Sequence, residues 1–302
     1  MKPKALVLLS GGLDSRLTVK LLQAQMSVEA IYFKLPFGSK YSKNFEEIKK
    51  FCKKHKVKLN VIDCTKEKLL QEYLDIIRKP KFRRGTALNP CVDCKIFLLK
   101  KAKEFAHTNN FDIIATGEVL GQRPMSQHTR AFEAIEKECG LQGRILRPLS
   151  AKALPVTIYE KKKLVNRNKL LRIVGRRREQ QLALAKKYKI SYPSPAGGCL
   201  LCEEKFCERL EPLLKLVISE MDIELLKLGR HFKKSNIILG RNYKENKLLE
   251  KIFRKYRIGF LLEPREPGPS AFVKGKRYVA EAKKLIQKYS KYKLKKIELH
   301  NP

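Results

Sequence analysis

The stretch Ala5-Leu6-Val7-Leu8-Leu9-Ser10-Gly11-Gly12-Leu13-Asp14-Ser15 decides the fold. Its first five residues are a continuous apolar run, the pattern of a parallel strand buried on both faces. Ser10-Gly11-Gly12 reads as a turn, and residues 13–26 carry helical spacing through Leu17, Leu21 and Leu22. Strand, glycine turn and helix in that order make an anion site. The glycines let backbone approach a ligand closely, and the helix N-terminus offers unpaired N–H groups and a positive dipole end. Ser10 and Ser15 add hydroxyls. No Gly-Lys-Ser/Thr ends the turn, so it is not a Walker A loop, and it is not the dinucleotide G-x-G-x-x-G turn. The plainer alternative is an ordinary strand-to-helix turn with Asp14 as a first-turn cap.

Working outward, residues 29–33, 59–63 and 112–116 read as strands and residues 44–55, 66–77 and 91–106 as helices. Their alternation predicts an α/β fold with a doubly wound parallel sheet. Residues 158–189 read as helical and very basic. Between Glu160 and Lys189 there are twelve Lys or Arg against two Glu, with Arg176-Arg177-Arg178 inside the run. Tyr192-Pro193-Ser194-Pro195-Ala196-Gly197-Gly198 breaks this pattern and reads as an inter-domain linker. Beyond it we expect a smaller C-terminal α/β domain with strands at 236–239, 259–262 and 294–299 and helices at 244–256 and 277–289. The expected division is a nucleotide-binding catalytic domain at 1–190, a Cys-containing linker and helix at 191–218, and a small α/β RNA-binding domain at 219–302.

The 302 residues hold 67 Lys plus Arg against 30 Asp plus Glu, a net charge of +37. That excess excludes a basic main partner and favours a polyanion, because each cation placed on a phosphate releases counterions. Thermophile surface chemistry is the alternative, but it raises Glu alongside Lys. No run approaches the roughly 20 apolar residues of a membrane span, and no signal-peptide core is present, so we expect a cytoplasmic protein without a membrane partner. Its eight cysteines then meet a reducing compartment, where metal, cluster or redox roles outrank disulfides.

Asn89-Pro90-Cys91-Val92-Asp93-Cys94 opens a helix, which places both thiols on one face or turn and lowers their pKa. Gly197-Gly198-Cys199-Leu200-Leu201-Cys202 supplies a second C-x-x-C, with Cys207 close behind. Cys52, Cys64 and Cys139 read as packing residues. For the pairs, three accounts stay open: a structural zinc site, catalytic thiols carrying a persulfide, and an iron–sulfur cluster on three cysteines with one iron open. Thr116-Gly117-Glu118-Val119-Leu120-Gly121-Gln122, followed by Ser126-Gln127, falls at a strand's C-terminal end. In an open α/β sheet that is the edge facing the ligand crevice.

The hexapeptide 10–15 resembles the PP-loop of the ATP pyrophosphatases, which cleave ATP to AMP and pyrophosphate. PP-loop, Asn-Pro-Cys-x-x-Cys, Thr-Gly-Glu-x-Leu-Gly-Gln and Gly-Gly-Cys together are similar to the tRNA-thiolating PP-loop enzymes. The 117–127 run is nearest to tRNA 4-thiouridine synthetases, and Asn-Pro-Cys is shared with tRNA 2-thiouridylases. The resemblance covers roughly residues 4–210. It implies that Ser10, Gly11, Gly12, Asp14, Ser15, Phe33, Thr116, Gly117 and Gln122 bind ATP, with Asp14 acting through Mg2+. It implies catalytic roles for Asp14, Cys91, Cys94 and Cys199, the three cysteines holding a [4Fe-4S] cluster, with zinc or no metal as alternatives. The expected product is 4-thiouridine at tRNA position 8, with 2-thiouridine, another PP-loop synthetase or an RNA-binding protein as alternatives. The expected partners are tRNA and a sulfur donor, sulfide or a sulfur-carrier protein, with a homodimer as a possible assembly. We expect no THUMP and no rhodanese domain. The 237–246 run is weakly similar to the RNA-binding NFACT-R module, so RNA contacts are expected from Arg176, Arg177, Arg178 and Arg241.

Overall fold

A computed structural model describes residues 2–38, 45–82, 87–193 and 199–302. These residues form two compact units, Met1–Cys202 and Glu203–Pro302. The expected linker and helix at 191–218 is divided between them: residues 199–202 belong to the first unit and 203–218 to the second. Gly197 and Gly198 lie outside the described residues, as do Ser194 to Ala196.

The first unit is built on β1 (Lys4–Leu8), α1 (Leu13–Gln23), β2 (Ser27–Lys34), α2 (Phe45–Lys54), β3 (Lys58–Asp63), α3 (Glu67–Arg78), α4 (Cys91–Thr108), β4 (Ile113–Thr116) and α5 (Thr129–Cys139). All strand pairs are parallel, in the order β3-β2-β1-β4. Ala5, Leu6 and Val7 are wholly buried, because helices cover both faces of β1. The chain runs outward from β1 to β3 and then returns to place β4 on the other side of β1. That reversal makes a topological switch point, and the loops after β1 and β4 flank it. Leu146 continues the sheet as a parallel bridge to Ala115.

The run 158–189 is not the helix its composition suggested. It holds α6 (Ile158–Lys161) and α7 (Glu179–Lys187), separated by a 3-10 turn at Arg167–Lys169 and extended chain. Lys163 at φ 58° ends α6 in the left-handed region, and Gly175 at φ 86° turns the chain again. Between them the Leu171 and Ile173 N–H groups donate to the Pro148 and Leu149 carbonyls, so this backbone bonds sideways to other chain instead of to itself. Arg176, Arg177 and Arg178 therefore precede α7, with Arg178 as its N-cap residue.

The second unit contains α8 (Glu204–Leu214), α9 (Glu220–Leu226), β5 (Arg230–Phe232), β6 (Ile237–Leu239), α10 (Tyr243–Tyr256), β7 (Phe260–Pro264), β8 (Ala271–Val273), α11 (Val279–Tyr289) and β9 (Ile297–His300). Its sheet is antiparallel throughout, ordered β5-β6-β8-β7-β9, so this unit has no parallel sheet. Ile238, Leu261 and Phe272 face α9 and α10, whereas Ile237, Leu239, Leu262 and Val273 face α11. Burial on both faces explains why Ile237-Ile238-Leu239 is apolar without alternation.

Candidate active site

Both loops of the switch point line one crevice of about 320 Å3. Gly11, at φ 85°, adopts a turn geometry that side chains resist, and a Cβ there would stand 2.8 Å from Ile48. Gly12 caps α1 without a side-chain bond, and the first-turn residues Leu13, Asp14 and Ser15 line the crevice. Asp14 is therefore not the N-cap. Ser15 Oγ donates to Gly12 O (2.9 Å), and the Ser10 and Ser15 hydroxyls are 3.4 Å apart. Beneath the loop, the buried Arg16 donates from Nε to Gly11 O (2.8 Å) and from Nη1 to Ser191 O (2.7 Å). The sequence reading passed over Arg16, since a charged residue on a helix is ordinarily solvated.

The β4 loop closes the other wall. Gly117 lies directly on the PP-loop helix: a Cβ there would stand 2.6 Å from both Cα and N of Ser15. Gln122 Nε2 donates to Asp14 Oδ2 (2.7 Å), and the wholly buried Gln181 of α7 donates to Gln122 Oε1 (3.0 Å). Asp14 Oδ1 and Gln127 Oε1 are buried with no hydrogen-bond partner. An orphaned carboxylate oxygen beside an open anion cradle fits one Mg2+ shared with phosphates. Phe33, at the end of β2, and Thr116 also line the crevice.

Glu118 holds this wall in place. It is 2% exposed and accepts from Thr116 Oγ1 (3.0 Å) and Arg147 Nε (3.2 Å), with Lys95 Nζ at 3.4 Å. Burial alone would raise its pKa. Lys95, then Arg147 and Thr116, outweigh that and hold it below the usual carboxylate range. The stability it contributes is present above the unfolded value of about 4.3 and is lost as pH falls through the lowered folded value. Glu118→Ala leaves the buried Arg147 with Glu136 alone and takes the carboxylate from Lys95, and should cost about 1–3 kcal/mol by chemical denaturation. Glu118→Gln should flatten the acid-unfolding curve below about pH 4. An unchanged acid limb would assign acid sensitivity elsewhere.

The four motif cysteines gather at the N-terminus of α4. Asn89 N–H donates to Leu201 O (3.0 Å), Leu200 N–H to Phe37 O (3.3 Å) and Cys199 Sγ to Phe37 O (3.1 Å). These bonds bring the two C-x-x-C segments together across a long sequence separation. The expected lowering of thiol pKa at the helix N-terminus is overridden. Cys91 is pushed far up, first by its hydrogen bond to Cys202, then by burial and by Cys94 and Cys199. Burial also raises Cys94, whose Sγ lies 3.5 Å from the buried Tyr73 hydroxyl. Cys202 thus joins Cys91, Cys94 and Cys199, the three cysteines the motif resemblance singles out, and Tyr73, which no motif marks, lies against Cys94. Among the described residues no three or more His, Cys, Asp or Glu side chains are already arranged around an ion position. The donor set is nevertheless all thiol, which suits zinc or iron–sulfur. Cys52 and Cys139 are buried, with pKa pushed up to about 11, and Cys64 to about 12, by burial first, as for packing thiols.

None of the four cysteines lines the nucleotide crevice, but chain neighbours of the group do. Lys95, next to Cys94, and Gly38, next to Phe37, both line it. A larger cavity of about 820 Å3 lies at the opposite end of the sheet, among Lys100, Lys103, Arg144 and Lys162, away from both glycine loops.

The residues expected to meet RNA fall in different settings. Arg176 and Arg177 are exposed, whereas Arg178 lines the nucleotide crevice. Arg241 is tied to Glu245 by Nε bonds of 3.0 Å and a shorter Nη2 contact. Asn242 caps α10, so part of the 237–246 run serves the fold. Among the described residues no helix is long and apolar enough to cross a membrane.

A parallel sheet with a glycine loop, serine hydroxyls and an aspartate at its switch point defines a nucleotide-binding α/β protein of the PP-loop type. The ThiI family, described as thiamine biosynthesis protein (ThiI), matches residues 1–169, and the chain belongs to it. It is 31% identical over 150 residues to a probable tRNA sulfurtransferase of Finegoldia magna, covering 49% of this chain and 36% of that protein. It is 32% identical over 123 residues to the tRNA-specific 2-thiouridylase MnmA of Nitratiruptor sp., covering 39% and 35%. The matches therefore span about a third of those relatives' length. The U34-tRNA thiolase NcsA of Methanococcus maripaludis, solved with its [4Fe-4S] cluster, matches at 16% identity and TM-score 0.37, over 72% of this chain and 75% of that one. A likeness at that TM-score adds nothing to the architecture, which the sheet order establishes.

Proposed function

We propose that the chain is an ATP-dependent tRNA sulfurtransferase that makes 4-thiouridine at tRNA position 8. The observations that carry this reading are a crevice lined by a PP-loop and, one residue along the chain from its lining Lys95, a group of four thiols. The uridine carbonyl oxygen attacks the α-phosphorus of ATP and pyrophosphate leaves. Sulfur then displaces AMP, a better leaving group than the original oxygen. The Gly11–Gly12 backbone and the Ser10 and Ser15 hydroxyls receive the developing phosphate charge. Asp14 would hold Mg2+, which would supply charge neutralisation. Phe33, Thr116, Gly117 and Gln122 shape the nucleotide pocket.

Cys91, Cys94 and Cys199 would hold a [4Fe-4S] cluster, with Cys202 beside Cys91. Such a cluster supplies an iron position for sulfide. Bound zinc or a persulfide on these thiols are the competing outcomes. The net charge of +37 supports a tRNA partner, gripped by Arg176, Arg177 and the C-terminal unit.

The test uses the full chain, tRNA, ATP, Mg2+ and sulfide without oxygen, followed by nucleoside mass spectrometry. 4-Thiouridine with AMP and pyrophosphate is expected. 2-Thiouridine would move the modified atom, and ADP with phosphate would overturn the reaction class. Anaerobic protein should absorb broadly near ~400 nm, and Cys91→Ala, Cys94→Ala or Cys199→Ala should each abolish that band. A colourless chain carrying one zinc would overturn the cluster.

A further inference from the structure

Arg178 sits in the wrong place for a purely RNA-facing residue. It is the N-cap residue of α7, its side chain is 29% exposed, and it lines the nucleotide crevice. Its Nη2 stands 3.5 Å from Asp14 Oδ2, and its Nε is buried without a hydrogen-bond partner. Three residues on, the buried Gln181 reaches the same carboxylate through Gln122. The far end of this segment is fastened as well, because Arg16 Nη1 holds Ser191 O and Lys54 Nζ holds Lys189 O (3.2 Å). α7 is therefore a strut that presents one guanidinium to the PP-loop aspartate and braces, through Gln181, the glutamine that bonds it.

The PP-loop carries no cation of its own, yet the departing pyrophosphate gains charge. Of the other cations lining the crevice, Lys95 is paired with Glu118 and Arg123 is exposed. Arg178 is paired only with Asp14, at a long distance, and Asp14 is the group Mg2+ would take.

We propose that Arg178 is the catalytic arginine that neutralises the leaving pyrophosphate, held on Asp14 until Mg2+–ATP displaces it. This rests on the reading of the crevice as an ATP site. As the attacking oxygen bonds to the α-phosphorus, the bond from that phosphorus to the α,β-bridging oxygen breaks. The electron pair leaves with pyrophosphate, where the planar fork of Arg178 donates to its oxygens.

The same residue thus opposes Mg2+ binding and assists the departure of pyrophosphate, so its removal should move two readouts in opposite senses. In the full chain with tRNA, Arg178→Gln should slow pyrophosphate release about 10²-fold at saturating Mg2+–ATP. It should also lower the Mg2+ concentration for half-maximal nucleotide binding about two- to five-fold, since a competitor for Asp14 is gone. Arg178→Lys, a point charge without the fork, should show both shifts in smaller measure. It carries the test should Arg178→Gln fail to fold. The salt slope of tRNA binding should stay as in wild type. Pyrophosphate release at the wild-type rate, or a raised Mg2+ requirement, would overturn the proposal. So would a flattened tRNA salt slope with release unchanged, which returns Arg178 to the RNA surface. A wild-type chain that binds no Mg2+–ATP overturns the ATP reading and this proposal together. A wild-type chain that binds it beside an unaffected Arg178→Gln overturns the proposal alone.

Discussion

Gly117→Val should slow pyrophosphate release about 10²-fold. The hydrogen it replaces faces backbone, with Ser15 Cα and N 2.6 Å from where a Cβ would stand and the Asp14 carbonyl carbon at 2.8 Å. Backbone atoms cannot rotate away as a side-chain tip can, so either the β4 loop or the first turn of α1 must shift. The β4 loop is anchored by Glu118 on Arg147, Lys95 and Thr116, and α1 by Arg16 on the Gly11 carbonyl. Overpacking of this kind costs about 1–3 kcal/mol. The catalytic effect is larger, because a displacement of about 1 Å costs on the order of 10²-fold in rate. Even Gly117→Ala should show both effects. Thermal unfolding and pyrophosphate release measured together check this. A Gly117→Val chain with the wild-type rate would mean that β4 and the PP-loop do not act as one wall.

That contact between distant loops also marks the limit of sequence reading. The β1–turn–α1 unit was legible because its period, its glycines and its polar residues are all local. The strands at residues 29, 59 and 112 and the helix from Cys91 emerged near their observed places for the same reason. Residues 158–189 misled, since their Lys and Arg suit an exposed helix while their apolar residues bond sideways to 148–149. Three-residue strands such as β5 and β8 offer too few positions to show a period, and their antiparallel pairing is set by tertiary packing. Within the site, the cysteines were legible by spacing. The hydrogen bond between Cys202 and Cys91, the Tyr73 hydroxyl at Cys94 and the buried Arg16 were not, because each depends on which chain segments fold together. Arg178 shows the effect most sharply. A triplet of arginines reads as one basic patch, yet the turn at Gly175 leaves two outside and directs the third to Asp14.

Asp14→Ala should lower AMP and pyrophosphate formation by about 10³-fold or more, the scale of losing a charge-neutralising metal from a phosphoryl transition state. The fold should survive. Asp14 lies in the first turn of α1 but does not cap it, and its partners are a glutamine amide and a partly exposed arginine. Pairs of that kind contribute about 0–1 kcal/mol, so the melting temperature should move by only a few degrees. Loss of rate without loss of fold separates Asp14 from Glu118, whose removal should cost stability first. The metal dependence gives a second signature, since the Asp14→Ala chain should have lost most of its response to added Mg2+. Asp14→Asn keeps the shape and one oxygen acceptor but not the charge, and should recover little activity. If Asp14→Asn instead restored most of the wild-type rate, the aspartate would act by hydrogen bonding and orientation, and the metal would have to be held by other groups. If Asp14→Ala unfolded the chain, the orphaned Oδ1 would have to be reassigned to an internal contact, and the crevice would lose the feature that fits it for Mg2+.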